Sequence, residues 1–465
     1  MSVETIDLVR DSTMQQIAQA CAAIAANTGG YNVSSFKDVQ AIVRAGLASH
    51  FFHIGDQIIV EKESAITATV GNTEGETAGI TAASVTAETF ISAIGVVHAA
   101  DYEFIYDGAE WHYEGAAVQL ATYGITVTGT PIRGDAVIVH ETAAKLVWDV
   151  IGIDHDTPTD TQFTHSMTLQ LHDCFAELQF DAREAIFAFP EGLAAGTYHF
   201  TIASQPWYAG DVNKTIAFTL ASAIPAGGQL VVNNSYDSTM VGKTISAYAS
   251  NTTTTATETV TMSEGNSGTD LGSVAAAISE DGNTNSIHRA LLGSNNWGQS
   301  AMRQYLNSNA AAGSVWTPQT KFDRPVSWAT TTAGFLFGVD PEFVSVIGRV
   351  DKITALNTVT DGGGSETKSE KVFLLSRSEV YGGNEVSGGE GAPYPYYANY
   401  SDLPTAGTSA DKNRIKYRNG VAKIWWLRSP NAGNATSVRY VNASGTIDHS
   451  GAANTLGVAP ACVIV

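Results

Sequence analysis

The sequence contains few cysteines and no arrangement of them that suggests cross-linking or metal binding. Cys21, Cys174 and Cys462 are the only three, and no two of them stand in a C-x-x-C spacing. A disulfide framework needs paired cysteines, and a structural zinc site needs closely spaced ligands. The sequence therefore predicts neither a disulfide framework nor a structural zinc site.

Basic residues are also scarce. Lys and Arg number 25 against 46 Asp and Glu, which gives a formal net charge of −21 with only 15% of residues charged. Binding to nucleic acid or to anionic lipid requires clustered cations, and the chain has no run rich in Lys or Arg. We therefore expect no nucleic-acid partner and no docking on a membrane surface.

Long apolar runs are missing as well. The longest stretch, residues 17–26, is about half of the roughly 20 residues that a transmembrane helix needs. The amino terminus lacks the basic start, apolar core and small-residue cleavage site of a secretory signal. The sequence predicts no membrane insertion and synthesis in a cytoplasm.

What the chain does contain is glycine, with 44 residues, together with segments rich in Thr, Ser and Asn. Short β-prone runs separated by such residues favour a β-rich protein with an exposed, neutral-polar surface. Two amino-terminal helices are predicted, over residues 13–26 and 34–50. The fold class expected is α+β, β-rich and multidomain, with short amino-terminal helices.

The order of these patterns predicts four regions. Residues 1–60 form an amino-terminal helical attachment segment that continues in a β-rich domain at 146–235. Residues 61–145 read as an inserted, sandwich-like β module, in which Asp107-Gly108 is a hairpin signal. Residues 236–282 read as a polar linker or loop, and residues 283–465 as a ligand-binding domain.

The carboxy-terminal region carries a set of motifs. They are R-x-x-L-N-S at 303–308, W-T-P-Q at 316–319, F-D-R-P at 322–325, F-L-L-S-R-S-E-V-Y-G at 373–382, W-W-L-R-S-P at 425–430, R-Y-V-N-A-S-G-T-I at 439–447 and G-V-A-P-A-C-V-I at 457–464. Together they resemble the carboxy-terminal domain of phage structural proteins from gut bacteria. Those domains are similar to the C-type-lectin-like fold shared with formylglycine-generating enzymes. They also resemble the variable target proteins of diversity-generating retroelements, which include phage tail adhesins.

The resemblance implies a ligand-binding segment between the tryptophan-rich strand and the final strand. That segment is almost wholly small and polar, and the apolar strands on either side of it should be buried. The residues implied to bind ligand are Asn431, Asn434, Thr436, Arg439, Tyr440, Asn442, Asp448, His449 and Asn454. The alternative is an ordinary loop and strand pair that packs on the rest of the domain.

Signals for catalysis are weaker. His155-Asp156, His165 and His172-Asp173-Cys174 form the only concentration of His, Asp and Cys, but neighbours on a strand point to opposite faces. Formylglycine generation would need a cysteine-based copper site, and Cys462 is the only cysteine in the similar region. The sequence assigns no catalytic residue, no metal ligand and no cofactor.

Two further features leave alternatives open. Carboxylates for glycoside cleavage could come from Glu379, Glu385, Glu390 or Asp402. The tyrosines of residues 392–404 could contact a sugar or protein, or could pack their own loop. These tyrosines are Tyr394, Tyr396, Tyr397 and Tyr400.

The resemblance and the composition together predict a phage virion protein, a tail or head fibre component or adhesin. It would bind a host cell-surface protein or glycan through the carboxy-terminal domain. It would contact other virion proteins and form a homo-oligomer, with a trimer favoured. The alternatives are a purely structural capsid or tail decoration protein and, less favoured, a virion glycan depolymerase.

Overall fold

The protein is built from short strands arranged in several sheets. The computed structural model describes residues 35–94, 101–202, 211–233, 239–274, 293–387, 389–398 and 409–465. Strands account for 40% and helices for 14%, which confirms the predicted β-rich character with short helices. The helix predicted at 13–26 lies outside the described residues.

The helices of the described chain are short. They are α1 (Phe36–Arg44), α2 (Ala48–Phe51), α3 (Ala87–Ile94), α4 (Ala301–Leu306), α5 (Pro341–Val346), α6 (Arg377–Tyr381) and α7 (Pro395–Ala398). Single 3-10 turns cover Leu120–Tyr123, Trp297–Gln299 and Ser409–Arg414.

The strands up to residue 232 belong to three different packing units. They are β1 (Gln57–Asn72), β2 (Ile80–Val85), β3 (Asp101–Tyr106), β4 (Trp111–Tyr113), β5 (Ala116–Val118), β6 (Ile125–Gly129), β7 (Asp135–Ile153), β8 (Met167–Leu171), β9 (Ala176–Gln179), β10 (Phe187–Phe189), β11 (Gly196–Ile202), β12 (Thr215–Leu220) and β13 (Gly228–Val232).

The remaining strands complete those units. They are β14 (Thr244–Tyr248), β15 (Glu258–Thr261), β16 (Ser263–Glu264), β17 (Thr269–Val274), β18 (Ile347–Gly348), β19 (Val350–Ala355), β20 (Ser365–Glu370), β21 (Val372–Phe373), β22 (Lys416–Arg418), β23 (Val421–Lys423), β24 (Trp425–Pro430), β25 (Ser437–Val441), β26 (Ile447–Gly451), β27 (Thr455–Val458) and β28 (Ala461–Ile464).

A long antiparallel hairpin of β1 and β7 links two of the units. Its register runs from Gln57 opposite Asp149 to Asn72 opposite Asp135. Both strands are longer than the usual 3 to 10 residues. One end of the hairpin buries Val60 and Trp148 in the main core, whereas the other buries Val139 in a separate cluster. One strand pair therefore spans two cores.

The separate cluster lies within the range predicted for the inserted module. It is formed by Ile80, Phe90, Tyr102, Phe104, Leu120, Ile125, Val137 and Val139, all inside the 61–145 range. The hairpin predicted at Asp107-Gly108 is confirmed, because β3 pairs with β4 and Gly108 has φ +104°. Glycine adopts this backbone conformation without the steric cost that a side chain would bring.

A second β unit covers the described residues from 186 to 274. Two four-stranded sheets, ordered β10-β13-β14-β15 and β16-β12-β11-β17, bury one shared cluster between them. The prediction of a linker or loop at 236–282 was therefore wrong for β14, β15, β16 and β17, whereas the Thr-rich residues 249–257 between β14 and β15 do form a loop. Ile245 in β14 and Leu271 in β17 are buried in this cluster, as is Met262 between β15 and β16.

The main core joins parts of the chain that are far apart in sequence. Strand β8 pairs with β28, with Leu169 opposite Cys462, and β9 pairs with β27, with Leu178 opposite Leu456. Residues 146–182 therefore share their core with residues 297–465 and not with 186–235, which corrects the predicted domain boundaries. The reason is that β8 and β9 complete the carboxy-terminal sheets.

The two apolar anchors expected in the carboxy-terminal region are confirmed as buried strands. Trp425 and Trp426 lie in β24, inside the five-stranded sheet β26-β25-β24-β27-β9. Cys462 and Val463 lie in β28, and both are fully buried. The polar segment between the anchors forms the hairpin of β25 and β26 at one edge of that sheet.

Candidate functional site

A buried network of charged residues lies beneath β24 and begins at Arg428. Its guanidinium group forms a bidentate pair with Glu379, with Nη1 to Oε2 at 2.5 Å and Nη2 to Oε1 at 3.0 Å. Lys352 donates to the same carboxylate at 3.0 Å and also contacts Asp156. Tyr394 donates to Asp156 at 2.8 Å. The network joins β19, β24, α6 and the loop before α7.

Electrostatics keeps this network charged despite its burial. Burial alone would raise the pKa of Glu379, but the positive charges of Arg428 and Lys352 outweigh it and lower that pKa. The other N–H groups of Arg428 donate to the carbonyls of Leu374 and Ile353 and to the Thr354 hydroxyl. Every part of the guanidinium group is therefore paired, and the network ties β19, β24 and α6 together.

The carboxylates considered for glycoside cleavage lie in or beside this framework. Glu379 pairs with Arg428, and Glu390 is fully buried and accepts hydrogen bonds from Ser429 and the Ala355 amide. Glu385 is paired as described below, and Asp402 lies outside the described residues. Glu379, Glu385 and Glu390 therefore have their carboxylates engaged by the protein itself.

Two of the predicted ligand-binding residues, Asn434 and Thr436, are buried, which is a correction. Asn434 and Thr436 are only 6% and 4% exposed. Asn434 Oδ1 accepts hydrogen bonds from the Thr436 amide, the Thr436 hydroxyl and the Ser437 amide. Asn295 donates to the Ser437 carbonyl at 3.0 Å. These short polar side chains satisfy a buried turn, so they are not displayed.

Arg439 is held beside this turn by a carboxylate from another element. Its Nε donates to Glu385 Oε1 at 2.6 Å, and its Nη2 donates to Asn431 Oδ1 at 3.4 Å. Arg377 donates to the same Glu385 oxygen at 2.6 Å. Glu385, itself held by Arg377, thus positions Arg439, and no spacing in the sequence connects either residue to the hairpin.

The hairpin itself presents two faces. Arg439 lies opposite His449, and Tyr440 lies opposite Asp448. Since successive side chains on a strand alternate, each of these cross-strand pairs occupies one face. Asp448 and His449 are exposed, whereas Arg439 and Tyr440 are half-buried.

The pair of Tyr440 and Asp448 is also coupled electrostatically. Burial and the neighbouring Asp448 charge both raise the pKa of the Tyr440 hydroxyl. Tyr440 therefore keeps its proton at neutral pH and shares it with Asp448 in a hydrogen bond.

The remaining predicted residues lie at the turn and at the far end of the hairpin. Asn442 is half-buried and closes the turn through its amide to the Thr446 carbonyl at 2.6 Å. The Tyr381 hydroxyl donates to the Gly445 carbonyl at 2.6 Å and fixes the turn to α6. Asn454 is exposed beside Ser450. We call the accessible set the hairpin surface: Asn431, Arg439, Tyr440, Asn442, Asp448, His449 and Asn454.

The residues of the His, Asp and Cys concentration separate in space. Asp156 belongs to the buried network, His165 pairs with Asp154 at 3.2 Å, and His172 pairs with Asp149 at 2.9 Å. Burial raises the pKa of the Cys174 thiol to about 12. Among the residues that the structure describes, no group of three or more His, Cys, Asp or Glu side chains could hold a metal ion.

The tyrosines of residues 392–404 divide between packing and exposure. Tyr394 and Tyr397 are buried in the main core, and Tyr396 is half-buried beside a cavity. Tyr400 lies outside the described residues. The two buried residues confirm packing as the role of part of this segment.

Comparisons with known proteins give one family match. Residues 271–465 match a domain of unknown function, DUF6273, which covers less than half of the chain. No curated protein and no solved structure matches the chain. Within the described ranges, no helix is long and apolar enough to cross a membrane.

Proposed function

We propose that this protein is a component of a phage virion, a tail or head fibre or adhesin. It binds a protein or glycan on the surface of a bacterial host through the hairpin surface. The observation that supports the proposal is a polar hairpin that exposes Asp448 and His449 and is held by hydrogen bonds from other parts of the domain. The phage assignment rests on the resemblance of the carboxy-terminal motifs, and the finer fold we propose for that region is C-type-lectin-like.

Rigidity of the support favours a recognition role. The turn is held by Tyr381, and the base is held by Glu385. A surface that is already ordered loses less conformational entropy when it binds, so more of the contact energy appears as affinity. Polar side chains fixed in this way can select a partner by hydrogen-bond geometry.

The exposed residues also tolerate change. Asp448, His449 and Asn454 make few contacts beyond their own hairpin, whereas the strands on either side of the segment are buried. Substitutions at the three exposed positions would alter binding with little cost to folding. This separation is what a protein diversified by a retroelement requires.

Several copies of the hairpin surface on one particle would strengthen attachment to a host. A homo-oligomer, which we propose to be a trimer, would present several hairpin surfaces on one particle. Linked sites raise the overall avidity without any new contact at each site. Weak individual binding would then suffice for attachment to a host.

Binding of labelled protein to intact gut bacterial strains tests the proposal. We expect saturable binding to a subset of strains. Periodate treatment of bound cells would abolish the signal for a glycan receptor, and protease treatment would abolish it for a protein receptor. Failure to bind any strain, combined with binding to purified virions, would favour the decoration protein instead.

A further inference from the structure

One cavity is lined by none of the residues of the hairpin surface. It has a volume of about 570 Å³ and opens between the start of β1, the main-core end of β7, the end of β8, and α7. The lining residues that matter here are Ile54, Gln57, Asp149, His172, Tyr396 and Asn413.

Asp149 forms the floor of this cavity and is only 2% exposed. It accepts hydrogen bonds from His172 Nδ1 at 2.9 Å, Gln57 Nε2 at 3.1 Å and the Tyr396 hydroxyl at 3.2 Å. Burial alone would raise the pKa of Asp149, but the His172 hydrogen bond and the charge of Lys416 outweigh it and lower the pKa. Asp149 is therefore an ionised anchor that orients three side chains.

This anchor determines which imidazole nitrogen is available to a ligand. Because the Asp149 carboxylate is an acceptor, His172 Nδ1 carries a proton and donates it. Nε2 lies on the opposite side of the ring, and the His172 side chain is 45% exposed at the cavity. A carboxylate that fixes the orientation of a histidine in this way leaves Nε2 as a positioned hydrogen-bonding atom.

The other lining groups supply an apolar face and a further acceptor. Asn413 Nδ2 donates to the Tyr396 carbonyl at 3.0 Å, which leaves the amide Oδ1 to accept from a ligand. The half-buried Tyr396 ring lies over Gly55, where an added Cβ would stand 3.8 Å from the ring. Ile54 is 39% exposed next to it.

The charges around His172 restrict the ligand class. Asp149 and Asp173 are acidic, and Lys416 is buried behind them. These carboxylates face two basic groups, Lys416 and the His172 imidazole, and the pKa of the imidazole is raised. The opposite charges therefore largely offset each other and favour a neutral ligand. A sugar ring offers what the cavity can use, namely hydroxyl groups for Nε2 and Oδ1 and a C–H face for an aromatic ring.

We propose that this cavity binds a neutral saccharide of about one or two rings, with His172 Nε2 as the central hydrogen-bonding atom. The inference stands apart from the proposed host-binding function, because none of its residues belongs to the hairpin surface. It assigns a role to His172 and Tyr396 beyond their contacts with Asp149.

The test uses full-length protein and saturation-transfer difference NMR. The probes are glucose, galactose, mannose, N-acetylglucosamine and N-acetylgalactosamine at millimolar concentration. We expect transfer to at least one sugar with the unchanged protein. His172→Asn keeps a donor near Nδ1 but removes Nε2, so it should weaken binding about tenfold or more. His172→Gln restores a polar group near Nε2 and should retain more binding than His172→Asn.

His140→Asn is the matched control and should leave sugar binding unchanged, because His140 also pairs with an aspartate, Asp101, and lines neither the cavity nor the hairpin surface. A second readout avoids substitutions altogether: the ¹⁵N resonance of His172 Nε2 in the unchanged protein should shift when the bound sugar is added. The proposal is overturned if none of the five sugars shows transfer. It is also overturned if His172→Asn binds as well as the unchanged protein, or if the Nε2 resonance does not move.

Discussion

At the scale of single residues, burial and pairing determine the role of each side chain in the carboxy-terminal region. The apolar character of Trp425 and Trp426 is sufficient to predict a buried strand, and both are fully buried. The partners of Arg428 could not be predicted in the same way, because Glu379 and Lys352 come from other elements. Burial of Asn434 was missed for a related reason, since short polar residues satisfy a buried turn as well as an exposed one.

We predict that Arg428 stabilises the fold through its buried pair with Glu379. Replacement of Arg428 by Met leaves Glu379 buried without its bidentate partner, so we expect a loss of about 3–5 kcal/mol in the free energy of unfolding. The control is Arg133→Met, because Arg133 is 74% exposed and pairs with an exposed Glu74; it should cost at most about 1 kcal/mol. Urea unfolding followed by tryptophan fluorescence measures both. Equal losses in the two variants would contradict the role of the buried pair.

We predict a raised pKa for the His172 imidazole. The hydrogen bond to Asp149 raises the pKa of His172, although burial opposes it. We expect NMR titration of this imidazole to give a value above the ordinary value of about 6.5, and Asp149→Asn to bring it down. The stabilisation is fully present below the unfolded-state pKa and is lost as pH rises through the folded-state pKa. A His172 pKa at or below its ordinary value would contradict this arrangement.

At the scale of elements, local sequence patterns predict the structure correctly where a unit packs against residues that are close to it in the chain. The module at 61–145 has its cluster inside that range, and its hairpin at Asp107-Gly108 is a local signal. The strands of residues 239–274 were missed because Thr and Ser dominate them, and the apolar residues are sparse. The pairing of β8 with β28 could not be predicted, since nothing local joins residues so far apart.

We predict that the main core folds without the inserted module. Residues 64–142 are replaced by Asn-Gly, a sequence that favours the turn of a two-residue hairpin, so that Glu63 and Ala143 remain paired. We expect the shortened protein to unfold cooperatively, because the main core and the module core share no buried residue. Near-ultraviolet circular dichroism and calorimetry provide the measurement. Loss of the main unfolding transition would show that the module is needed for the main core.

At the scale of the whole molecule, the carboxy-terminal region cannot be separated from earlier parts of the chain. Strand β8 lies between β28 and β7 in one sheet, and β9 is the edge strand beside β27 in another. Removal of the chain after residue 274 would expose the apolar faces of α1 and β8. We therefore expect the truncated protein to aggregate or to bind the dye ANS, which fluorescence would detect. A soluble, cooperatively folded truncation would contradict the shared core.

Because truncation would destroy the fold, the binding role of the hairpin surface has to be tested by substitution at exposed positions. The test variant replaces three exposed hairpin residues by Ala, namely Asp448, His449 and Asn454. The control variant replaces the same residue types at other exposed positions, namely Asp270, His53 and Asn309. Both variants should keep the unfolding temperature of the unchanged protein.

The most direct measurement is the affinity of these two variants and the unchanged protein for one bacterial strain that the unchanged protein binds. We expect the hairpin variant to lose at least about tenfold in affinity, equivalent to 1.4 kcal/mol, and the control variant to bind like the unchanged protein. Equal binding by all three proteins would show that the hairpin surface is not the host-binding site.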